Sequence, residues 1–330
     1  MIDREDLKRI INSVKVANEK VLNSLKKDYE IKYIDLKDYE AIKPNIIVSE
    51  DSGYISGTVG PFSYIFIKTV VLNSKVFKFS NLYLSNSSFF EYLSISEFAE
   101  LISKYSEYLF TLKFSKDADL ILMDGSIISD LILSMKYFKY VLKKYEVEDV
   151  EIKDMEKIIN HSYLDNVNVN LVIATFPFLI KRFLEIAKEI PVLYFVKRPI
   201  HSKTIAKSLK IENSDVILLS RLKDEFFTDL YDEKFSEMFF NENIKVMYFR
   251  MGKYSNIYKI EFPDYYKKEE IIGLIKYLVL EDSNFEGYPK KLEYSHSLSN
   301  VTIEDKNSIE NLILSTLPEG MRTKEITRYL

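Results

Sequence analysis

The 330-residue sequence contains no cysteine, tryptophan or glutamine, and its only histidines are His161, His201 and His296. Without thiols there is no disulfide, no cysteine nucleophile, no iron–sulfur cluster and no thiolate zinc site. With so few histidines, a three-histidine catalytic metal site is not expected. A metal held by this chain would be bound mainly through carboxylate oxygen, which favours magnesium or manganese. Long apolar runs are missing too. Charged or polar residues break each run before the roughly 18 residues that a membrane-spanning helix needs, so no membrane contact is expected. The N-terminus, MIDREDLKRIINSVKVANEK, has no secretory apolar core, and a cytoplasmic location is the resulting expectation. So few thermolabile residue types suit a hot-adapted source, although the many asparagines point the other way.

Hydrophobic residues make up 47% and charged residues 29% of the chain, the balance of a soluble globular protein with a sizeable core. The formal net charge of -4 provides no overall attraction to nucleic acid. Binding would have to come from local lysines and arginines. Apolar residues recur at helical spacing from Leu7 to Leu25, which suggests a helical N-terminal arm over residues 1–40. Residues 46–48, 64–72, 76–79, 120–123, 192–196 and 216–219 read as strands, and 245–250 with 256–262 as a hairpin. Helices are expected over 95–110, 128–144, 171–188, 203–209, 269–280 and 303–317, with Pro177 acceptable only in a first turn. No linker or internal repeat is visible. The economical reading is one α/β domain over 1–330, with a core over 45–315.

Two acids sit in equivalent places. Ile46-Ile47-Val48 leads to Asp51-Ser52-Gly53, and Leu120-Ile121-Leu122-Met123 leads to Asp124-Gly125-Ser126. Each is an acid at the carboxyl end of an apolar strand, followed by small residues that permit close approach; in α/β sheets ligands gather there. A third acid should come from the helix between them, which contains Glu97, Glu100 and Glu107. The apolar stripe Phe98, Leu101, Ile102, Tyr105 and Leu109 spans about 100° of that helix. Glu97 flanks the stripe while the other two point away, so Glu97 is the expected partner. Three clustered carboxylates repel unless a cation joins them, and divalent ions on such a set suit phosphodiester hydrolysis.

Near the C-terminus, Tyr288 lies between Gly287 and Pro289, and His296 follows; either could position a phosphate, and His296 could also bind metal or carry a proton. Lys290 and Lys291 add local positive charge, as do Lys197, Arg198 and Arg250 elsewhere, which makes all five candidates for DNA contact. A solvated surface turn is the plainer reading of 287–296. His161 and His201 lack such surroundings.

Taken together these residues resemble the NurA nuclease family of archaea and some bacteria. The resemblance rests on the strand leading to Asp51, Glu97-Phe98-Ala99-Glu100-Leu101, the Asp124-Gly125-Ser126 motif, Gly287-Tyr288-Pro289 and His296. It implies an RNase H-like mixed sheet of five to six strands flanked by helices, with peripheral helices at both ends. It also implies a manganese-dependent 5'→3' exonuclease, often with single-strand endonuclease activity, acting on single-stranded DNA and DNA ends. The implied assembly is a homodimer working with a HerA-type hexameric translocase in end resection. Asp51, Glu97 and Asp124 would hold metal, with Tyr288 and His296 at the phosphate. The alternatives are a non-catalytic adaptor for DNA ends or translocase, and a metal-dependent phosphoesterase acting on a small molecule.

Overall fold

The computed structural model describes residues 4–25, 29–85, 93–144, 169–238, 240–253 and 255–317. Helix α1 (Arg4–Leu25) follows the expected spacing, and Leu7, Ile10, Ile11 and Val14 on it remain exposed. The helix does not extend to residue 40. Residues 29–46 run without regular structure apart from a 3-10 turn at Leu36–Asp38, where the Asp35 side chain accepts from the Lys37 N–H. Backbone bonds from Ile34 N to Phe227 O (3.0 Å) and from Asp229 N to Lys32 O (2.8 Å) fasten this stretch to the body.

Strand β1 (Ile47–Val59) begins an antiparallel meander with β2 (Phe62–Leu72) and β3 (Val76–Ser85). Helix α2 (Ile95–Phe114) crosses one face and returns the chain as β4 (Leu120–Asp124), parallel to β1. Helices α3 (Ile127–Lys144) and α4 (Val169–Ile186) precede β5 (Val192–Val196), parallel to β4. The short helices α5 (Thr204–Ser208) and α6 (Asp215–Ser220) lead to β6 (Phe226–Phe227), β7 (Tyr231–Glu237), β8 (Phe240–Arg250) and β9 (Tyr258–Pro263). Helix α7 (Lys268–Lys276) runs into a π-helical turn at Tyr277–Glu281, and α8 (Lys290–Ser299) and α9 (Ile303–Thr316) follow.

The strands form one mixed sheet in the order β3-β2-β1-β4-β5-β9-β8-β6, with β7 also on β8. The RNase H-like mixed sheet is therefore present, with nine strands among the described residues rather than five or six. The β8–β9 hairpin accounts for the growth: β9 pairs antiparallel with β5, and β8 then carries β6 and β7. One apolar layer lies under α2, α3 and α4, with Phe98, Leu101, Tyr105, Leu131, Phe138, Phe176 and Phe183 among its buried members. The second lies under α7 and α8, around Ile271, Ile275, Leu278 and Leu292. No helix of the described residues is long and apolar enough to cross a membrane.

Three local expectations change. Residues 216–219 lie in helix α6, not in a strand. A four-residue apolar run carries no period of its own, and Asp215 settles the matter by accepting from Ala206 N (2.7 Å) and the Tyr248 hydroxyl. Pro177 lies inside α4 rather than in its first turn. The helix forgoes one backbone bond there, and burial of Phe176, Phe178, Leu179 and Phe183 offsets the loss. The segment 287–296 is no surface turn: Tyr288 is buried, and the helix α8 starts at Lys290.

Candidate metal centre

Strand alternation places the two acids. Ile47 belongs to the layer beneath α7 and α8, Val48 to the layer beneath α2. Asp51 continues the odd-numbered side of β1, and Asp124 follows Leu120 and Leu122 on β4, so both side chains emerge on the α8 face. The parallel register pairs Glu50 with Met123, which makes Asp51 and Asp124 neighbours at adjoining carboxyl ends.

Helix α8 then brings His296 over the pair. Its Nδ1 lies 2.9 Å from Asp51 Oδ2 and 3.8 Å from Asp124 Oδ2. The Ser299 hydroxyl, one turn on, donates to Asp51 Oδ2. Burial works to raise the Asp51 carboxyl, but the hydrogen bonds from His296 and Ser299 outweigh it and hold the group below its ordinary value. The same bond to Asp51 lifts His296 above the usual histidine value, against partial burial. Opposite His296, Lys197 Nζ lies 2.6 Å from Asp124 Oδ2 and 4.6 Å from the centre of the Tyr288 ring. The Tyr288 hydroxyl is buried beside Asp124. Its burial, followed by the nearby Asp124 charge, raises its pKa.

Gly53 makes this closure possible. A Cβ there would fall 2.2 Å from the Ser299 carbonyl oxygen, so only glycine lets the end of α8 reach β1. The glycine two residues after Asp51 thus admits protein backbone rather than a ligand. Gly125 has φ +138, a conformation that L side chains rarely adopt, and Lys104 Nζ stands 3.1 Å from where its Cβ would be.

Asp51, Asp124 and His296 each offer one ligand atom, all within 4.8 Å of one another. Bonds of about 2.1 Å to a shared ion spread ligand atoms no further than about 4.2 Å, and the two His296 distances meet that limit. Two carboxylates with one imidazole, and no thiol, fit a divalent manganese or magnesium ion.

Glu97 does not join them. It lies at the third position of α2, where its carboxylate accepts from the Ser94 N–H (3.0 Å) and hydroxyl (2.8 Å) in a capping box. The glutamate that α2 turns inward is Glu107, which is 2% exposed. Lys104 Nζ bridges it to the sheet, 2.5 Å from Glu107 Oε2 and 3.0 Å from the Asp124 carbonyl oxygen. Burial pushes Glu107 up to about 8 against the pull of Lys104. Beside it, Glu50 is wholly buried with neither carboxylate oxygen hydrogen-bonded; burial and then the Glu107 charge drive its carboxyl well upward. The expected consequence is that Glu97→Gln leaves metal-dependent cleavage at the wild-type rate, whereas Glu107→Gln slows it at least tenfold. Parallel assays of the two purified variants check this, and the reverse order would restore Glu97 to the site.

The basic candidates divide. Lys197 belongs to the centre. Arg198 and Lys290 are exposed. Arg250 is 7% exposed and donates from Nε to Ser255 O (2.9 Å) and from Nη1 to Leu222 O, so it fastens loops and offers nothing to DNA. Lys291 Nζ donates to Ile47 O (3.0 Å) and anchors α8 on β1. His201 is exposed, and His161 lies outside the described residues. Reading the sequence sets Glu107 aside on the helical wheel and does not find Glu50, Lys104 or Ser299. A heptad-like offset was available for Lys104–Glu107, three residues apart on one helix face.

Comparison with known proteins identifies the fold and the family. No curated protein matches the chain. Among solved structures, the NurA nuclease from Sulfolobus solfataricus superposes with a TM-score of 0.62 at 16% identity, covering 96% of this chain and 98% of that one. A NurA structure with manganese gives 0.59 at 13% identity, over 97% of this chain and 100% of that one. One bound to dAMP and manganese gives 0.56 at 12% identity, over 97% and 98%. The model of the NurA domain family matches residues 42–301, most of the length, and the chain is a member of the NurA family.

Proposed function

We propose that this protein is a manganese-dependent DNA nuclease that hydrolyses phosphodiester bonds of single-stranded DNA and DNA ends from 5' to 3'. The observation that carries this is the convergence of Asp51, Asp124 and His296 on one point at the carboxyl ends of β1 and β4. Solved relatives described as a nuclease, and as holding manganese and dAMP, support the same ion and a nucleotide ligand. A bound divalent ion supplies an activated water and neutralises charge at phosphorus.

The chain's own residues do the rest. Asp51 and Asp124 hold the ion, with His296 as third ligand. Lys197 keeps a positive charge beside Asp124 where an anionic phosphate arrives. The ring of Tyr288 supports that ammonium, and its hydroxyl, buried beside Asp124, helps to position that carboxylate. Glu107, locked to Lys104, fixes the electrostatics behind the pair. A homodimer that receives DNA from a HerA-type translocase would need no strongly basic exterior, in keeping with the net charge of -4.

The test is degradation of 5'-labelled and 3'-labelled single-stranded DNA by the purified protein, with manganese and with EDTA. Mononucleotide release from the 5' label at early times, in manganese only, is the expected result. Cleavage that persists in EDTA, or none in manganese or magnesium, would overturn the assignment.

A further inference from the structure

On the other side of the Asp124 loop lies a cavity of about 400 Å³, between the start of α3, the end of β5 and helix α5. That is near the lower end of the roughly 300–1,000 Å³ typical of small-ligand sites, the scale of a single nucleotide. Its floor is neutral. Lys259 and Glu261, both buried, form a 2.5 Å pair, and Glu261 also accepts from Ser126 Oγ (2.8 Å) and Ile128 N (3.2 Å). The first turn of α3 is therefore already satisfied. On the wall, Lys207 pairs with Glu233.

This leaves Arg198 and Lys203, exposed side chains on the cavity that no acid among the described residues pairs with, and His201 between them. The rim is positive over a balanced floor. The cavity also shares both strand ends with the metal centre. Leaving β5, Lys197 turns to Asp124 while Arg198 lines the cavity; leaving β4, Ser126 lines the cavity two residues after Asp124.

We propose that this cavity is a phosphate-binding subsite for the nucleotide adjacent to the scissile bond, with Arg198 and Lys203 as its contacts. This rests on the nuclease reading of the Asp51–Asp124 centre. A guanidinium fork beside an ammonium suits a phosphate held by two oxygens. The same chemistry fits an internal phosphodiester or a terminal 5'-phosphate.

The experiment uses the full chain and the double variant Arg198→Ala/Lys203→Ala, whose side chains are solvent-exposed. Fluorescein-labelled oligothymidylate, with a 5'-hydroxyl or a 5'-phosphate, is titrated in EDTA and followed by anisotropy across a salt series. Two lost phosphate contacts flatten the log–log salt slope by about 1.4 for single strands, which is roughly 25-fold weaker binding at 0.1 M salt. Weakening with both ends identifies an internal phosphodiester, and weakening confined to the phosphorylated oligonucleotide identifies a terminal phosphate; either supports the subsite. Affinity and salt slope equal to the wild type with both oligonucleotides would overturn it. Hydrolysis of bis(p-nitrophenyl) phosphate in manganese, an ester with no second phosphate for the cavity to hold, is read separately. It should be equal in variant and wild type, and its absence in the wild type would count against the nuclease reading while the anisotropy still decides the subsite.

Discussion

Asp124→Asn is expected to lower manganese-dependent DNA cleavage by at least about a thousandfold, the equivalent of roughly 4 kcal/mol of barrier. The substitution keeps the shape of the side chain and removes one of the two carboxylates beside the ion. It also leaves the Lys197 ammonium, 2.6 Å away, without its counter-charge, so the remaining site repels a cation more strongly. Loss of the ion and of the polarised water then coincide. The fold should be little affected. The Lys197 side chain is 34% exposed, and solvent screening limits the cost of breaking such a pair to about 1 kcal/mol. Three measurements belong together: a cleavage assay in manganese, calorimetric titration with manganese, and a thermal melt. Native melting with lost cleavage and weakened manganese binding is the expected set. Wild-type cleavage by a contamination-free preparation would remove Asp124 from the chemistry.

Much of this centre was legible from the sequence because β-strands have simple rules. Two apolar runs ending in an acid predict two carboxylates at one sheet edge, and the parallel register of β1 and β4 makes them neighbours. Gly287-Tyr288-Pro289 and His296 were visible as a polar concentration, although α8 as a helix over the site was not. The third acid was misplaced for a physical reason. A helical wheel assumes one buried face and solvent on the other. Helix α2 instead buries Phe98, Leu101 and Tyr105 together with Ser103, Ser106, Glu107 and Thr111, a far wider arc than one stripe. The polar arc holding Glu107 is therefore inside, and the glutamate beside the apolar stripe is used at the helix start. The sheet's extent was underestimated because β7, YDEKFSE, is almost entirely polar and its strand character comes from pairing with β8.

The buried charge behind the centre leads to the second large effect. Lys104→Met should destabilise the metal-free protein by about 3–5 kcal/mol at pH 8–9, the usual cost of removing one partner from a buried ion pair. Lys104 is the cation facing Glu107, Asp130 and Glu50, and those three acids raise its own pKa well up against the effect of burial. Its side chain is still 21% exposed, which favours the lower end of that range. The deficit should depend on pH with a defined sign. Burial first of all holds Asp130 at about 6 and Glu107 at about 8 in the wild-type fold, each above its unfolded value, so their stabilisation falls as pH rises through those values. Without the ammonium both folded values climb further. The variant then keeps protons that the wild type has released, and by linkage its stability drops faster with pH above about 6, and faster again above about 8. Near pH 5 both proteins hold these protons and the difference should nearly vanish. Urea unfolding of the two proteins at pH 5, 7 and 9 measures it. A deficit that is constant across this range would show that Lys104 acts through packing of its stem, and that the carboxylates behind Asp51 and Asp124 find their balance elsewhere.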